Sequence, residues 1–258
     1  MPSGSGGHPL FSPRKGSGNR GIGNRYDEKY HGKRDGAMQI LTNTVGRKIL
    51  MAVSGLFMLL FVIVHLLGNS SIFFGPGALN TYAEKLHSLG PLVWAFRAFM
   101  LAMLGVHVIF GVLLTLENWA ANPGKYAVNR KLKATFSSET MIWTGALLFA
   151  FLVYHLLQFT FRVTPDIIPE AVAKRPGDVY AMVVSSFRHT AISLLYVGAM
   201  VVLFLHLQHG TQSFFQSLGW NNDRTLPRFT TLGKVLSALF LLGYSAIPVL
   251  ILVGFLTK

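Results

Sequence analysis

Five long runs of mostly apolar residues, at about 48–72, 91–116, 140–162, 189–215 and 232–256, constrain this chain more than any other feature. A helix needs roughly 20 such residues to cross the hydrocarbon core of a bilayer, and each run meets that length. Nothing between the runs is long enough to fold alone. The connections carry breakers: Gly75-Pro76-Gly77, Gly90-Pro91, Asn122-Pro123-Gly124, Pro165, Pro169, Pro176-Gly177 and Pro227. The expected fold over residues 37–258 is therefore an all-α integral membrane bundle of five transmembrane helices, with short links between antiparallel neighbours. Composition agrees, since 13% of the residues are charged against about 25% in soluble domains.

Residues 1–36 are rich in Gly, Ser, Arg and Lys and hold no apolar stretch. They are expected to form a disordered basic arm that stays on the protein, not a cleaved leader. The net charge of +13 suggests nucleic acid at first sight, yet nine of the 23 Lys and Arg fall in residues 14–48, ahead of the first apolar run. Basicity here concerns topology, and no nucleic-acid partner is expected. The arm, the 117–139 connection (Lys125, Arg130, Lys131, Lys133) and the 216–234 connection (Arg224, Arg228, Lys234) hold sixteen cations against seven on the other side. The positive-inside rule then puts the N-terminus in the cytoplasm and the C-terminus outside. Cysteine is absent from the sequence, which excludes disulfides, thiolate-held zinc and iron–sulfur clusters carried by this chain alone.

Histidine carries the chemistry. His65, His107, His155 and His206 fall one in each of the first four runs, where ionisable groups are costly and usually functional. A hydrogen-bonded packing histidine accounts for any one of them, but four with no Asp, Glu, Lys or Arg at comparable depth ask for a shared reason. At 1.5 Å per residue, His65 and His155 each lie about 25 Å from the inner ends of their helices, near Lys48 and Glu139. His107 and His206, on helices running the other way, lie about 25 Å from the outer ends. Two level pairs result, His65 with His155 outside and His107 with His206 inside. Neutral imidazole suits the axial positions of haem iron, and a six-coordinate bis-histidine iron transfers electrons without an open position for oxygen chemistry.

Internal similarity supports that pairing. The first run reads Ser54-Gly55, Phe61, His65-Leu66-Leu67, and the third reads Thr144-Gly145, Phe151, His155-Leu156-Leu157 at the same offsets. Ten residues is nearly three helical turns, so Gly55 and Gly145 fall at about the level of the other pair, where they would let the inner macrocycle approach. His107 and His206 are instead followed one turn later by Gly111 and Gly210. Close helix packing would also explain these glycines. Among the other histidines, His8 and His31 belong to the arm, and His189 starts the fourth run, as a propionate ligand or a cap. His209, one turn from His206, is the rival fourth ligand; the His206-Gly210 spacing repeats His107-Gly111 and favours His206.

From Gly46 onward the chain resembles the cytochrome b membrane-anchor subunit of succinate:quinone oxidoreductases, of the single-anchor, five-helix, dihaem kind that includes dihaem fumarate reductases. The resemblance rests on Gly46-Arg47-Lys48-Ile49-Leu50-Met51, Val64-His65-Leu66-Leu67-Gly68-Asn69, Ala78-Leu79-Asn80-Thr81-Tyr82-Ala83, His87-Ser88-Leu89-Gly90-Pro91, Val153-Tyr154-His155-Leu156 and His206-Leu207-Gln208-His209-Gly210. It implies that His65 and His155 ligate a distal haem b and His107 and His206 a proximal one. It also implies a flavoprotein subunit and an iron–sulfur subunit on the cytoplasmic face, a quinone substrate that is often menaquinone in this class, and a multi-pass place in a bacterial inner membrane.

The cytoplasmic connections, about 20 residues each, are too short for a flavin or a dicarboxylate site. Succinate chemistry is therefore expected on a partner, with electrons entering at the His107/His206 haem and leaving from the His65/His155 haem to a quinone near the outer interface. Asn80, Tyr82, Glu84 and His87 are available there, although a plain loop histidine also explains His87. Arg97, Arg162 and Arg188 would neutralise haem propionates; snorkelling at the bilayer edge accounts for them equally. The competing readings are another dihaem quinone-linked cytochrome b, a transporter with a histidine relay, and a cofactor-free anchor. A relay would ask for acidic partners within the spans. The quinol-oxidising type would ask for two ligands on one helix about four turns apart.

Overall fold

The computed structural model describes residue 41 and residues 43–121, 135–164 and 177–256. Contacts divide the chain into Met1–Leu41 and Thr42–Lys258, and of the first unit only Leu41 is described. The expected arm 1–36, with His8 and His31, lies outside the described residues. So do the cations Lys125, Arg130, Lys131 and Lys133. The second unit is helical, and no strand occurs among the described residues.

Helix α1, Thr44–Asn69, starts at Asn43, whose side chain accepts the Gly46 N–H at 2.5 Å. A 3₁₀ turn, Ser70–Phe74, prolongs it as far as Gly75, whose φ of +92° suits glycine and ends the helix. Helices α2 (Pro76–Ser88) and α3 (Pro91–Ala121) follow. Short α4 (Phe136–Glu139) opens with a capping box on Thr135 and leads into α5 (Met141–His155), which ends in a π-helical turn, Leu156–Thr160. Helix α6 (Val179–Phe187) is capped by Asp178, and α7 (Thr190–Ser217) and α8 (Leu226–Leu252) complete the chain.

Five helical stretches are long and apolar enough to cross a membrane: Thr44–Phe74, Pro91–Ala121, Met141–Thr160, Thr190–Ser217 and Leu226–Leu252. They match the five expected runs. Three details differ, each for a reason of backbone chemistry. Pro76 and Pro227, read as breakers, sit in the first turns of α2 and α8, where a missing N–H is no loss. The fifth span therefore starts at Leu226 and not near 232. Residues 179–187, expected as loop, form α6 because the Asp178 carboxylate accepts the Ala181 N–H at 3.0 Å.

The spans turn large apolar side chains such as Leu101, Leu147, Leu194 and Leu242 outward, as a lipid-facing surface requires. The densest apolar packing lies at the end of the bundle away from the start of α1, here called the far end. There Ile72, Leu79, Val183, Val184, Phe187, Tyr196, Ile247 and Ile251 form one buried cluster, and α2 and α6 contribute to it.

Helices α7 and α8 pack closely at the near end through Gly233. A Cβ at this position would fall 2.8 Å from the Gln208 carbonyl oxygen, which is backbone and cannot swing aside. Gly233→Ala is accordingly expected to cost about 1–3 kcal/mol through overpacking. At Gly243 the same methyl would meet only the mobile end of Leu66, at 2.9 Å. Thermal unfolding in detergent should show a lowered midpoint for the first variant and little change for the second.

Candidate functional site

The four span histidines approach one another as two pairs. The ring centres of His65 (α1) and His155 (α5) are 5.9 Å apart with perpendicular planes. Those of His107 (α3) and His206 (α7) are 6.4 Å apart, with planes at 66°. His209, the rival, is half-buried on another part of α7, and it is His206 that faces His107. Metal–imidazole nitrogen bonds are about 2.0 Å, which sets two imidazoles on opposite sides of one metal roughly 6 Å apart centre to centre. Both pairs have that separation.

Hydrogen bonds fix the tautomers of the two near-pair rings. His107 Nδ1 lies 3.1 Å from the Met51 carbonyl oxygen, an acceptor only, so Nδ1 carries the proton. His206 Nδ1 lies 3.1 Å from Thr144 Oγ1, whose single hydroxyl proton goes to the Thr140 or Met141 carbonyl at 3.0 and 3.1 Å. The hydroxyl must then accept from the ring. In both rings Nε2 keeps its lone pair, the arrangement in which a protein presents a histidine to a metal. The far pair is held mainly by aromatic rings. Phe61 stacks on His65 at 5.3 Å and Phe151 lies 6.0 Å from His155. Tyr244 lies 6.2 Å from His65, and its hydroxyl donates to the Val62 carbonyl at 2.7 Å.

These contacts repeat between α1 and α5. Met51, Ser54, Gly55, Phe61 and His65 occupy the offsets of Met141, Thr144, Gly145, Phe151 and His155. Gly55 and Gly145 do lie level with the near pair, ten residues or about 15 Å along the helices from the far pair. What meets them is the imidazole of the neighbouring helix. A Cβ on Gly55 would fall 3.1 Å from His107 Cε1, and one on Gly145 would fall 3.4 Å from His206 Cε1. Gly111 and Gly210 differ, because a Cβ on the first would meet only Met51 Sδ at 4.0 Å and one on the second no atom within 4 Å. Close helix packing therefore does not account for these two glycines.

Among the described residues no group of three or more His, Cys, Asp or Glu side chains converges to hold a metal. Two imidazoles fill only two positions of a six-coordinate metal. The donor set fits an ion whose other ligands come from a planar macrocycle, such as haem iron.

At the far end, two adjoining clefts of about 370 and 550 Å³ share His87 and Arg162. The smaller also holds Trp94, Thr160 and Arg97, whose guanidinium lies 4.8 Å from the Trp94 ring centre. The larger holds Asn80 and Glu84. Arg162 reaches this position with a φ of +55°, the left-handed region that a bulky residue seldom occupies.

The other candidates lie elsewhere. Tyr82 packs its ring onto Gly68 of α1, and Arg188 and His189 are exposed between α6 and α7. His189 occupies the N-cap of α7, but its side chain makes no capping bond. Asn80, in the larger cleft, also braces the fold. Its Nδ2 donates to Asp178 at 3.2 Å and its Oδ1 accepts the Tyr180 N–H at 2.9 Å, tying α2 to the start of α6. Asn80→Ala should cost about 1–3 kcal/mol by leaving that N–H unpaired, read as a lower unfolding midpoint.

Sequence reasoning missed Met51, Tyr196, Gln158 and Tyr244, all of which bear on the imidazoles or their neighbours. For Tyr196, Gln158 and Tyr244 the one available signal was a polar tip inside an apolar span, whereas Met51 acts through its backbone carbonyl and had none. No protein-family model matches the chain, and neither a characterised protein nor a solved structure is significantly similar to it.

Proposed function

We propose that the chain is the dihaem cytochrome b membrane anchor of a succinate:quinone oxidoreductase, with one haem b held by His65 and His155 and the other by His107 and His206. The observation that carries the reading is the two level imidazole pairs, each with the ring separation that a shared metal needs. When bound, the two groups supply one-electron transfer along the axis of the bundle. The protein's part is to present imidazole nitrogens at fixed positions, to keep water away from them, and to set two levels about 15 Å apart along the helices.

The near end, with Arg47, Arg224 and Arg228, is assigned to the cytoplasm, where an iron–sulfur subunit and a flavoprotein subunit would dock and carry the succinate or fumarate chemistry. The near-end pair then receives electrons first. A quinone, with menaquinone the leading choice, is assigned to the far-end clefts, where His87 and Glu84 could exchange protons and Arg162 could stabilise a charged ring oxygen. A histidine relay is the poorer account. Glu117, the carboxylate in the second span, lies at the near end paired with Arg47.

The test is optical. Purified, reduced protein should show a sharp b-type band and two haems per polypeptide by extraction. A colourless preparation, or one haem per chain, would sink the reading and leave a cofactor-free anchor as its replacement.

A further inference from the structure

Directly after His155 the backbone widens into a π-helical turn, with the Phe161 N–H bonded to the Leu156 carbonyl at 2.9 Å. The segment Leu156–Thr160 contains neither Pro nor Gly to force that turn. Such turns recur where a functional side chain must be re-aimed. The side chain it carries inward is Gln158, which has no exposed surface. The Gln158 Oε1 accepts the Tyr196 hydroxyl at 2.8 Å, and the Tyr196 oxygen lies 3.2 Å from His155 Nδ1. Gln158 Nε2 is buried without a hydrogen-bond partner. Leaving an amide hydrogen unpaired costs about 1–3 kcal/mol, and leucine or methionine would fill the same space without that cost. The amide is therefore kept for its oxygen.

A tyrosine hydroxyl has one proton to give. Once given to Gln158 Oε1, it cannot go to the histidine, so the Tyr196 oxygen must accept from His155 Nδ1–H. The lone pair of His155 is thereby left on Nε2. Donating to the amide also makes the phenol oxygen a better acceptor, because linked hydrogen bonds polarise one another.

We propose that Gln158 is a positioning residue for the far-end metal site: acting through Tyr196, it fixes the tautomer of His155 and raises the electron donation of that ligand. The inference rests on the haem reading and deepens it. A more strongly donating imidazole favours ferric over ferrous iron, so the Gln158–Tyr196–His155 chain holds the far-end haem at a lower potential than an unassisted histidine would. The near-end histidines, bonded to the Met51 carbonyl and the Thr144 hydroxyl, are outside its reach.

The experiment is an optical redox titration of the purified full-length chain with its haems, in the wild type, Gln158→Met, Tyr196→Phe and the double variant. The far-end component is identified as the one lost in His65→Ala. Gln158→Met should raise the midpoint of that component alone, and Tyr196→Phe should raise it at least as far. In the Tyr196→Phe background Gln158→Met should add nothing, since the amide then has no phenol to act through. Gln158→Asn keeps an amide but draws its oxygen back by one methylene, so it should also raise the midpoint. It serves if the methionine variant does not fold.

An unmoved far-end midpoint in either Gln158 variant overturns the proposal, as does a shift that persists without the phenol. An equal shift of both components would also overturn it, by pointing to general loosening of the bundle. A wild-type preparation without haem fails differently, by removing the reading on which the proposal rests.

Discussion

Replacing His65 with alanine is expected, on the dihaem reading proposed above, to halve the haem content of the purified chain, from two groups per polypeptide to one, and to leave a single component in a redox titration. The far pair joins α1 to α5 at a ring separation of 5.9 Å, so loss of either ring would leave a single imidazole to hold the group proposed there. His155→Ala should therefore remove the same component, and the double variant His65→Ala with His155→Ala should do no further harm. His107→Ala and His206→Ala should remove the other component, whereas His209→Ala should remove neither. Retention of both groups in His65→Ala would show that the ligands have been misassigned, even if the protein is coloured.

A leucine at Gly55 is expected to have nearly as large an effect through a different route. Even a methyl at this position would lie 3.1 Å from His107 Cε1 and 3.3 Å from its Nδ1, so alanine asks the ring to yield by a few tenths of an ångström. Leucine asks for far more and should displace the ring from the Met51 carbonyl, with loss of the near-end group and retention of the far-end one. Gly210→Leu sharpens the test, because a side chain there meets no protein atom within 4 Å. If a macrocycle extends one turn beyond His206, this variant also loses the near-end group. Haem per polypeptide, measured after extraction and alongside an unfolding midpoint, separates these outcomes from simple failure to fold. A Gly55→Leu protein with two haems and unchanged potentials would remove Gly55 from the site.

The spans and the levels of the histidines were legible in the sequence because lipid imposes simple rules. An apolar run must be about 20 residues long, and each residue of a helix advances 1.5 Å, so position in the sequence converts directly into depth. The repeat between residues 51–65 and 141–155 was partly visible for the same reason. What escaped notice depends on contacts between helices. Pro76 reads equally as a breaker or as the first residue of a helix, because a missing N–H costs nothing in the first turn, so local spacing alone does not decide between them. Asn80 was read only as a candidate for the outer site, and its bonds to Asp178 and Tyr180, which also tie α2 to α6, depend on a helix that local sequence did not announce. The π turn after His155 has no signature in Leu-Leu-Gln-Phe-Thr, and without it the partnership of Gln158 with Tyr196 cannot be foreseen.

The histidines are also distributed in a way that bears on how the protein is built. Each pair takes one ring from the first hairpin, α1 with α3, and one from the second, α5 with α7. A group bound between the rings would act as a clasp between two halves made at different moments of synthesis. The far clasp can close once α5 has entered the membrane, but the near one must wait for α7. On the dihaem reading, cofactor supply would thus bear not only on colour and conductivity but on the order in which the halves lock together.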